Sequence, residues 1–480
     1  MTTEHADGLR TLFISGLGGD TRRYRCFHQQ EQLALQGVEN GFCESDDPQL
    51  LVDVLDYDIF VLHRVPYSQL IGLVIDLAHL RGKPVVFETD DLVFDPELYE
   101  HIGFVDTLAV EAAREFRDNL RRLAKTFQRC DCVLTTTEFL AEEARRRGKP
   151  AYVNRNTPSS EMIRISEQAF ATRCQQMEQQ EEEERTRPVV IAYFSGTGSH
   201  NRDFGIVAEP LIWALGTYPQ VWLHISGHLE LGPEFSPFHT RIRRAPYVAW
   251  RELPHLIAET DVNLAPLELD NPFCRAKSEN KFVEAALVGV PTIASQVEAY
   301  EFAITDGEDG LLVTSSEEWK NALQTLLDDP ERRCEIGRSA RHTAYARCMP
   351  DQRAIKFLET LQTIAHQYGG SSATREQILR ELASQMKQYA DQMRTDTLNQ
   401  KAQMTSLRQV VAQYESQLAA LSNSLRDQLA ARDRIIEQQQ QIIERREQTI
   451  EAIMQGRVMR LMTGTQRWLR KITRRGDGMG

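Results

Sequence analysis

The sequence predicts two doubly wound α/β domains in series, followed by a long α-helical coiled coil. The domains are predicted because short apolar runs alternate with helical patterns over residues 9–164 and again over residues 189–314, with a polar, acidic segment between them. The coiled coil is predicted because apolar residues recur at steps of three and four beyond residue 372.

In the first domain, placed at residues 1–165, brief apolar runs bounded by Gly, Pro, Asp or Asn predict buried parallel strands. They are TLFISG (11–16), YDIFVLH (57–63), KPVVFE (83–88), DCVLTTT (131–137) and AYVNRN (151–156). Helices are expected between them, at Ser68–Arg81 and Asp106–Arg129. This alternation is typical of a parallel sheet covered by helices.

Residues 166–187 are rich in Gln and Glu, which indicates an acidic linker that can itself be helical. The second domain, placed at residues 188–368, then repeats the α/β pattern and ends in a closing helix from residue 352. Its strands are predicted at VVIAYFSG (189–196), VWLHISG (221–227), DVNLAPL (261–267), VPTIAS (290–295) and GLLVT (310–314). Two such domains joined by one linker usually leave a cleft between them.

A hinge is expected at residues 369–373, and the coiled coil at residues 374–455. The apolar seam consists of Leu379, Leu382, Met386, Tyr389, Met393, Met404, Leu407, Val411, Tyr414, Leu418, Leu421, Leu425, Ile436, Ile443 and Ile450. Two steps of eleven residues in this seam predict stutters that locally unwind the supercoil. So polar a helix is not expected to stand alone, which favours self-association over packing on the chain's own domains.

Composition excludes several classes of protein. The formal net charge of −13 argues against general nucleic-acid binding. The eight cysteines are scattered, and only Cys130 and Cys132 are close-set, so reduced thiols are favoured over a metal or disulfide role. The first residues carry no signal pattern, and no apolar run is long enough to span a membrane. We therefore expect a cytoplasmic protein that is at most peripheral to a membrane.

The stretch RAKSENKFVEAALVGVPTIAS (275–295) places charged residues at the start of a predicted helix. Ser278 is the expected N-cap of a helix over Glu279–Val288, and Gly289 ends it. Such a start suits an anion, and Lys277 and Lys281 would add full charges to it. Glu284 lies on nearly the same face, where its carboxylate can bind a ribose diol. The alternative is a surface Lys–Glu pair on a packing helix.

A second candidate binding stretch is YFSGTGSHNRDF (193–204), where a predicted strand runs into a glycine-rich turn. Gly196 and Thr197 lie in the turn, and His200 and Arg202 follow and can neutralise a phosphate. The turn is not a P-loop, because no Gly-Lys-Ser/Thr follows it. An ordinary strand-to-helix turn is the alternative.

The first domain carries a glycine loop of its own at Gly16, Gly18 and Gly19. It resembles a dinucleotide fingerprint, but Thr21 occupies the third glycine position, so the motif is broken. The basic run that follows it either faces an anionic ligand or is solvated; it comprises Arg22, Arg23 and Arg25.

Candidate catalytic groups follow the strands of the first domain. Glu88, Asp90 and Asp91 come at the end of one predicted strand, and His63 ends the preceding one. Open α/β sheets bind ligands at this edge, so these groups can bind acceptor hydroxyls or act as a general base. The alternative is that the acidic residues cap a following helix.

Together these stretches resemble a known family. Residues 189–345 resemble the donor-binding half of GT-B glycosyltransferases, especially the bacterial family-4-like enzymes (glycosyl transferases group 1), through YFSGTGSHNRDF, DVNLAPLE, AKSENKFVEAALVGVPTIAS, DGEDGLLV and IGRSAR. The first domain is similar to the acceptor half of these enzymes, through YRC, HRVPYS and FETDDLVFD. The resemblance implies two Rossmann-like domains and places the coiled coil outside the family's fold.

The resemblance also assigns roles. A glutamate in the position of Glu284 holds the ribose of the donor, and its usual glutamate partner eight residues earlier is Ala276 in this chain. His200 and Arg202 stand where the family often has a basic phosphate clamp. The family uses no metal, so the Glu88–Asp91 cluster is not expected to bind manganese, and no cofactor is expected beyond the nucleotide diphosphate sugar.

The expected function is therefore transfer of a sugar from a nucleotide diphosphate sugar to a glycan or lipid-linked acceptor, in bacterial surface polysaccharide or glycoconjugate biosynthesis. The resemblance leans towards retention of anomeric configuration. One alternative is a non-catalytic GT-B-like scaffold that organises a complex through its coiled coil, which Ala276 favours. An NAD-dependent sugar-modifying enzyme is disfavoured by the broken glycine motif.

The last segment, residues 456–480, is predicted to be a basic amphipathic tail that binds an anionic membrane surface. Its charges are Arg457, Arg460, Arg467, Arg470, Lys471, Arg474 and Arg475, and its apolar residues are Val458, Met459, Leu461, Met462, Trp468, Leu469 and Ile472. The alternative is a disordered, solubilising terminus, since Gly456 and Gly464 weaken a continuous helix.

Overall fold

The computed structural model of the chain describes residues 8–97, 108–182, 187–196, 201–370 and 373–473. It divides into two compact units, Met1–Arg394 and Thr395–Gly480. The first unit contains two parallel six-stranded sheets, each covered by helices. This architecture confirms the α/β fold class expected from the alternating pattern.

The first sheet has the strand order β2-β1-β3-β4-β5-β6, and all of its strand pairs are parallel. Its strands are β1 (Thr11–Ser15), β2 (Asn40–Glu44), β3 (Ile59–His63), β4 (Val85–Thr89), β5 (Cys132–Thr135) and β6 (Ala151–Val153). The sequence predicts every strand but β2. That edge strand, NGFCE, begins with Asn-Gly, has no β-branched residue and is mostly half-buried, so it carries no strand signal.

The helices of the first domain include one unusual turn. They are α1 (Gly19–Arg22), α2 (His28–Leu35), α3 (Leu50–Asp53), α4 (Gln69–Leu80), α5 (Val110–Arg129) and α6 (Glu138–Arg146), and a π-helical turn, Arg23–Phe27, joins α1 to α2. Ser68, the first residue of the helix expected over Ser68–Arg81, is the N-cap of α4, since its hydroxyl accepts the N–H of Ile71 at 3.1 Å.

The second sheet has the strand order β12-β11-β10-β7-β8-β9 and is also parallel throughout. Its strands are β7 (Val189–Ser195), β8 (Val221–Gly227), β9 (Ile242–Ala245), β10 (Val262–Ala265), β11 (Thr292–Ser295) and β12 (Leu311–Val313). Only β9 lacks a sequence prediction, because exposed Arg243 and Arg244 interrupt its apolar pattern at the sheet edge.

The helices that cover the second sheet begin with the long α7 (Ser160–Glu182). They continue with α8 (Asn201–Thr217), a 3₁₀ segment (Pro233–Arg241), α9 (Leu253–Ala258), α10 (Pro272–Arg275), α11 (Asn280–Leu287), α12 (Glu298–Ala303), α13 (Ser316–Asp328) and α14 (Pro330–Arg347).

Two segments differ from expectation, one in its packing and one in the domain that it packs against. The acidic segment expected as a linker is helical as far as Glu182, and Ala169 within it packs on Ile257 and Val288 of the second domain. The closing helix α15 (Pro350–Tyr368), expected as part of the second domain, buries its apolar face in the core of the first. Its inward residues Phe357, Leu361 and Ile364 cluster with Phe13, Val61 and Leu134.

The last helix, α16, runs from Ala373 to Thr473 over 101 residues. It confirms the long helical region and begins inside the segment expected to be a hinge. Its continuity through Gly456 and Gly464 differs from the break that these glycines suggested. Association of this helix with another copy as a coiled coil stays a prediction. Among the described residues, no helix is both long and apolar enough to cross a bilayer.

Candidate functional site

A cleft of about 290 Å³ lies between the two α/β domains. Its floor is formed where parallel strands end: Asp90 and Asp91 follow β4, Ser195 ends β7, and Ser226 lies near the end of β8. The start of α11 forms one wall, and the α1 region of the first domain faces it. The carboxyl ends of both sheets therefore meet at one cavity, as ligand sites of open α/β folds require.

The wall from the second domain carries the residues predicted to bind the donor. Lys277 Nζ donates to Asp91 Oδ1 at 2.7 Å and lies 4.3 Å from the ring centroid of Phe273. Burial disfavours its charged form, but the neighbouring Asp91 outweighs burial and raises the pKa of Lys277. Lys277 is thus a fixed, fully charged cation at the cleft.

Lys281 lies four residues after Lys277, in the first turn of α11. Its ammonium donates to the carbonyl oxygen of Phe194 and sits 4.8 Å from the ring centroid of Tyr193. Burial lowers the pKa of Lys281 to about 8, with Glu284 acting in the opposite direction. Its charge is therefore sensitive to pH just above neutrality.

Glu284 receives a hydrogen bond from the opposite domain. The phenol of Tyr24 donates to Glu284 Oε1 at 2.8 Å. Burial raises the pKa of Glu284, and the charge of Arg23, the bond from Tyr24 and the charge of Lys281 oppose that rise. Lys277, Lys281 and Glu284 all line the cleft, so the structure brings together the residues that the sequence placed at the start of one predicted helix.

The expected N-cap of this helix is wrong. The helix begins at Asn280, Glu279 occupies the cap position without a side-chain capping bond, and the Ser278 hydroxyl instead accepts the Asn156 amide at 3.0 Å. The buried Glu279 carboxylate pairs with Arg155 at 3.3 Å, which draws it away from the helix N–H groups. Ser278 still lines the cleft, and so does Asn280.

The acidic residues of the first domain do not all reach the cleft, since Glu88 is fully buried. Asp90 and Asp91 line the cleft, where Arg64 pairs with them at 3.2 and 2.9 Å. Arg64 has a φ of 47°, a conformation that costs energy for a residue with a side chain. Burial favours the neutral form of Asp90, but Arg64 and His63 outweigh it and hold its pKa well below the usual range. The cleft thus presents an ionised carboxylate.

His63 and Glu88 are fully buried beneath this floor. The ring of His63 bridges the Ser15 hydroxyl at 3.0 Å and the Thr21 hydroxyl at 3.1 Å, and Thr21 donates its proton to Asp90 at 2.6 Å. Burial lowers the pKa of His63 to about 3, so its imidazole is neutral. This ring orients Thr21 and is a poor proton acceptor at neutral pH.

Glu88 pairs with the equally buried Arg25, whose Nε donates to Oε1 at 2.6 Å. Burial nevertheless raises the pKa of Glu88 to about 7. Its other oxygen lies 3.9 Å from the His63 ring. Glu88 therefore belongs to a buried charge network that supports the cleft from below.

The first-domain glycine loop shapes the cleft without lining it. A β-carbon at Gly16 would lie 2.3 Å from the Arg64 carbonyl oxygen, and Gly19 has a φ of 82°, so both positions need glycine. Gly18 occupies the N-cap position of α1. The residues that reach the cleft are the next two, Asp20 and Thr21.

The glycine-rich turn of the second domain is only partly described. Gly196 lines the cleft, whereas Thr197 and His200 lie outside the described residues. Arg202 is exposed in the first turn of α8 and borders a separate depression beside Glu268 and Trp319. The described residues therefore bring Gly196 to the donor wall and leave Arg202 apart from it.

Sequence reasoning missed the residues that reach the cleft from the π-helical turn and from the loop after β9. Arg23 lies 4.9 Å from the ring centroid of Trp250, and the Tyr247 phenol donates to Asp20. Tyr247 and Trp250 follow the unpredicted strand β9, so nothing placed their loop. The basic run gave a partial signal, because Arg23 lines the cleft. Arg22 pairs with Glu44 and the buried Arg25 with Glu88, and neither is among the residues that line the cleft.

One group of possible metal ligands lies in the described part of the chain: Asp203, Glu268 and Cys274, with ligand atoms within 4.8 Å of one another. Burial raises the pKa of the Cys274 thiol, so it keeps its proton and donates to Asp203 Oδ1 at 3.3 Å. This group is a hydrogen-bonded cluster, and its chemistry does not favour a thiolate–metal bond.

Comparison by sequence finds glycosyltransferases. A family model described as glycosyl transferase-like matches residues 209–359. The D-inositol 3-phosphate glycosyltransferases of Corynebacterium aurimucosum and Gordonia bronchialis are 42% identical over 60 residues and 33% identical over 111 residues. These matches cover 12% and 19% of this chain, and only 14% and 24% of the two relatives.

Comparison by structure covers both domains. HepE from Anabaena, solved with UDP and with UDP and glucose, matches with TM-scores of 0.51 and 0.52 at 15% and 16% identity, over 74% of this chain and 100% of HepE. Sucrose-phosphate synthase from Thermosynechococcus elongatus matches with a TM-score of 0.50 at 15% identity, over 74% of this chain and 99% of the synthase. At such identities the likeness concerns the fold, and it confirms the two-domain GT-B architecture.

Proposed function

We propose that this chain, which is related to the group 1 GT-B glycosyltransferases through its fold and its second domain, is itself a glycosyltransferase that uses a UDP-sugar. The observation that carries the proposal is the start of α11, where Lys277, Lys281 and Glu284 face one cleft between the domains. The UDP complexes of HepE, which has this fold, support UDP as the nucleotide.

In the proposed reaction, the donor's diphosphate lies against Lys277 and Lys281. Negative charge develops on the diphosphate as the bond to the sugar breaks, and the two ammonium groups at the cleft stabilise that charge. The N-terminal end of α11 adds its unpaired backbone N–H groups. The chain itself thus offers the positive charge that the leaving group needs, so we propose a metal-independent transfer.

Glu284 is proposed to hold the ribose. An ionised carboxylate accepts hydrogen bonds from both hydroxyls of a diol, and bonds to a charged acceptor are roughly twice as strong as neutral ones. The same residue type at this position binds ribose in the family that the sequence resembles.

Asp90 and Asp91 are proposed to bind the acceptor. Arg64 pairs with both carboxylates, whose oxygens can accept hydrogen bonds from acceptor hydroxyls. The lowered pKa of Asp90 makes that residue a weak base. The acceptor class proposed from the sequence is a glycan or a lipid-linked glycan of the bacterial surface.

A non-catalytic scaffold remains the second candidate, because of Ala276. This residue stands where the family usually has a glutamate, and it is fully buried in the hydrophobic cluster of the first domain. A carboxylate is costly to bury in apolar surroundings unless it is paired, so the surroundings of this position suit alanine.

The experiment that separates these functions is titration of the purified full-length chain with UDP, GDP and their sugar conjugates, followed by an assay of sugar transfer and of donor hydrolysis. Turnover of a UDP-sugar supports the transferase. UDP binding without turnover of any donor supports the scaffold, and no binding of UDP contradicts the proposed donor site.

A further inference from the structure

The bond between Tyr24 and Glu284 joins residues 260 positions apart and crosses from one domain to the other. Tyr24 is 6% exposed, and burial raises its pKa well above the ordinary value, so the phenol is protonated and donates. Its only proton goes to Glu284 Oε1 at 2.8 Å in preference to the Met162 sulfur at 3.5 Å.

Tyr24 is held rigidly by its surroundings. It lies in the π-helical turn Arg23–Phe27, in which four consecutive residues are buried: Arg23, Tyr24, Arg25 and Cys26. The Arg23 guanidinium sits 4.5 Å from the Tyr24 ring centroid, and the His28 ring meets it edge-on at 4.7 Å. π-Helical turns are rare and occur often at functional sites.

Glu284 keeps acceptor capacity after this bond. A carboxylate has two oxygens with about four lone-pair sites, and Tyr24 uses one of those sites. Glu284 still lines the cleft, so the bond fixes the rotation of its carboxylate while the remaining acceptor sites stay available to a ligand.

We propose that Tyr24 is a positioning residue of the donor site, supplied by the first domain, which holds the Glu284 carboxylate in the orientation that binds the ribose of the nucleotide. The inference rests on the proposed function, since it takes Glu284 as the ribose ligand. It adds that the nucleotide site is complete only when the first domain contacts α11.

The pH dependence of nucleotide binding distinguishes a positioning role from a merely structural one, because loss of a purely structural contact would leave the pH profile of UDP affinity unchanged. The groups that face Glu284 are Arg23, Tyr24 and Asp20 from the first domain and Lys281 from its own helix. The bond from Tyr24 stabilises the ionised carboxylate, so its loss raises the pKa of Glu284. Loss of UDP affinity on acidification then begins at a higher pH.

The test compares UDP binding by the full chain and by Tyr24→Phe, using calorimetry between pH 5 and pH 8. Tyr218→Phe is the matched control, because its phenol also donates to a carboxylate, Asp328 Oδ1 at 2.7 Å, away from the cleft. Tyr24→Phe is expected to weaken UDP binding about tenfold at neutral pH and to shift the acidic limb upwards, whereas Tyr218→Phe matches the wild type.

Glu284→Gln distinguishes failure of this inference from failure of the proposed function. If Glu284→Gln loses UDP affinity while Tyr24→Phe keeps both the wild-type affinity and the wild-type pH profile, Tyr24 does not position the carboxylate. Weakening of Tyr24→Phe with an unchanged pH profile also overturns the inference. If Glu284→Gln binds UDP as the wild type does, or the wild type does not bind it, the donor site itself is wrong.

Discussion

Asp91 forms two ion pairs, so it stays paired when one of its two partners binds a ligand. It pairs with Lys277 at 2.7 Å and with Arg64 at 2.9 Å. When a diphosphate takes Lys277, Arg64 still neutralises Asp91, which avoids the large cost of a buried, unpaired charge. The cation of the donor site is thus held in place while the cleft is empty and can transfer to an anionic ligand.

Lys277→Ala and Glu284→Ala are each expected to weaken donor binding without unfolding the protein. Each removes a charge-assisted hydrogen bond to the nucleotide, worth roughly 1.5–3 kcal/mol. Calorimetric titration with UDP measures the effect, and thermal unfolding checks the fold.

The matched control is Lys320→Ala, which removes an ammonium paired with Glu209 at 2.7 Å on the surface of α13. It should bind UDP like the wild type. Wild-type affinity in both cleft variants would contradict the donor assignment.

Lys281 gives the donor site a pH dependence on the alkaline side. Because burial lowers its pKa to about 8, the ammonium loses its proton as pH rises through that value, and UDP affinity should fall. In Lys281→Arg the charge persists, so affinity should stay level between pH 7 and pH 9. A wild-type affinity that is flat over this range would show that Lys281 does not contact the diphosphate.

The lowered pKa of Lys281 affects the stability of the fold in the direction opposite to its effect on UDP affinity. The unfolded chain holds the Lys281 proton up to its ordinary pKa, whereas the folded chain releases it near pH 8. Between these two values the unfolded state binds more protons, so Lys281 contributes rising stability as pH increases. Affinity and stability therefore change in opposite directions, which separates loss of the ligand contact from loss of the fold.

At the scale of elements, the strands with buried, β-branched sequences could be predicted, and two of the four edge strands, β2 and β9, could not. β2 begins with Asn-Gly, and β9 contains two exposed arginines, so neither has the apolar pattern from which a strand is inferred. The placement of α15 was missed for another reason. Its apolar face is visible in the sequence, but the sheet that the face covers is set by the fold of the whole chain.

The candidate site could be predicted only where local sequence spacing places its residues, and not where contacts between the domains do. Lys281 and Glu284 share one face of α11, and Lys277 lies three residues before that helix begins, so local spacing brings the three together. Tyr24 and Glu284 meet only because two domains face each other, and no local pattern contains that contact. The cap of α11 was misplaced because the Ser278 hydroxyl accepts a hydrogen bond from Asn156, a partner 122 positions earlier in the chain.

Helix α16 is the element expected to assemble the protein. Its described apolar side chains are exposed at Met404, Leu407, Val411 and Tyr414, which follow the spacing of a coiled-coil seam. A chain that ends after Gly370, before α16 begins at Ala373, should therefore form smaller particles than the full chain in light scattering. Equal oligomeric states in the two chains would contradict assembly through α16.

At the scale of the whole molecule, the proposed chemistry is shared between domains that contact each other across the cleft. The second domain supplies Lys277 and Lys281 to the cleft, and the first supplies Asp90 and Asp91. Lys277 donates a hydrogen bond to Asp91, which links the two domains. Arg155 adds two ion pairs across the same boundary, to Glu279 and Glu298. Donor and acceptor are thus expected to meet only when both domains are in place.

The basic end of α16 is proposed to hold the protein at an anionic membrane. Leu461, Met462 and Trp468 are 69, 58 and 65% exposed, beside Arg457, Arg460 and Arg467, while the whole chain has a net charge of −13. Each basic residue near an anionic leaflet contributes about 1 kcal/mol, and salt screens it. Arg474 and Arg475 lie outside the described residues.

Flotation with liposomes that contain anionic lipid tests this anchor. The full chain should float at low salt and less at high salt, and a chain that ends after Gln455 should stay in solution. Equal flotation of the two chains, or none by the full chain, would contradict the anchor.

The account rests most directly on where the nucleotide binds, and a crystal structure of the full chain with UDP measures that position. The account predicts the ribose hydroxyls on Glu284, with Tyr24 still bonded to that carboxylate, and the diphosphate between Lys277 and Lys281. UDP bound at the Gly16–Gly19 loop of the first domain, or anywhere without contact to α11, would contradict it.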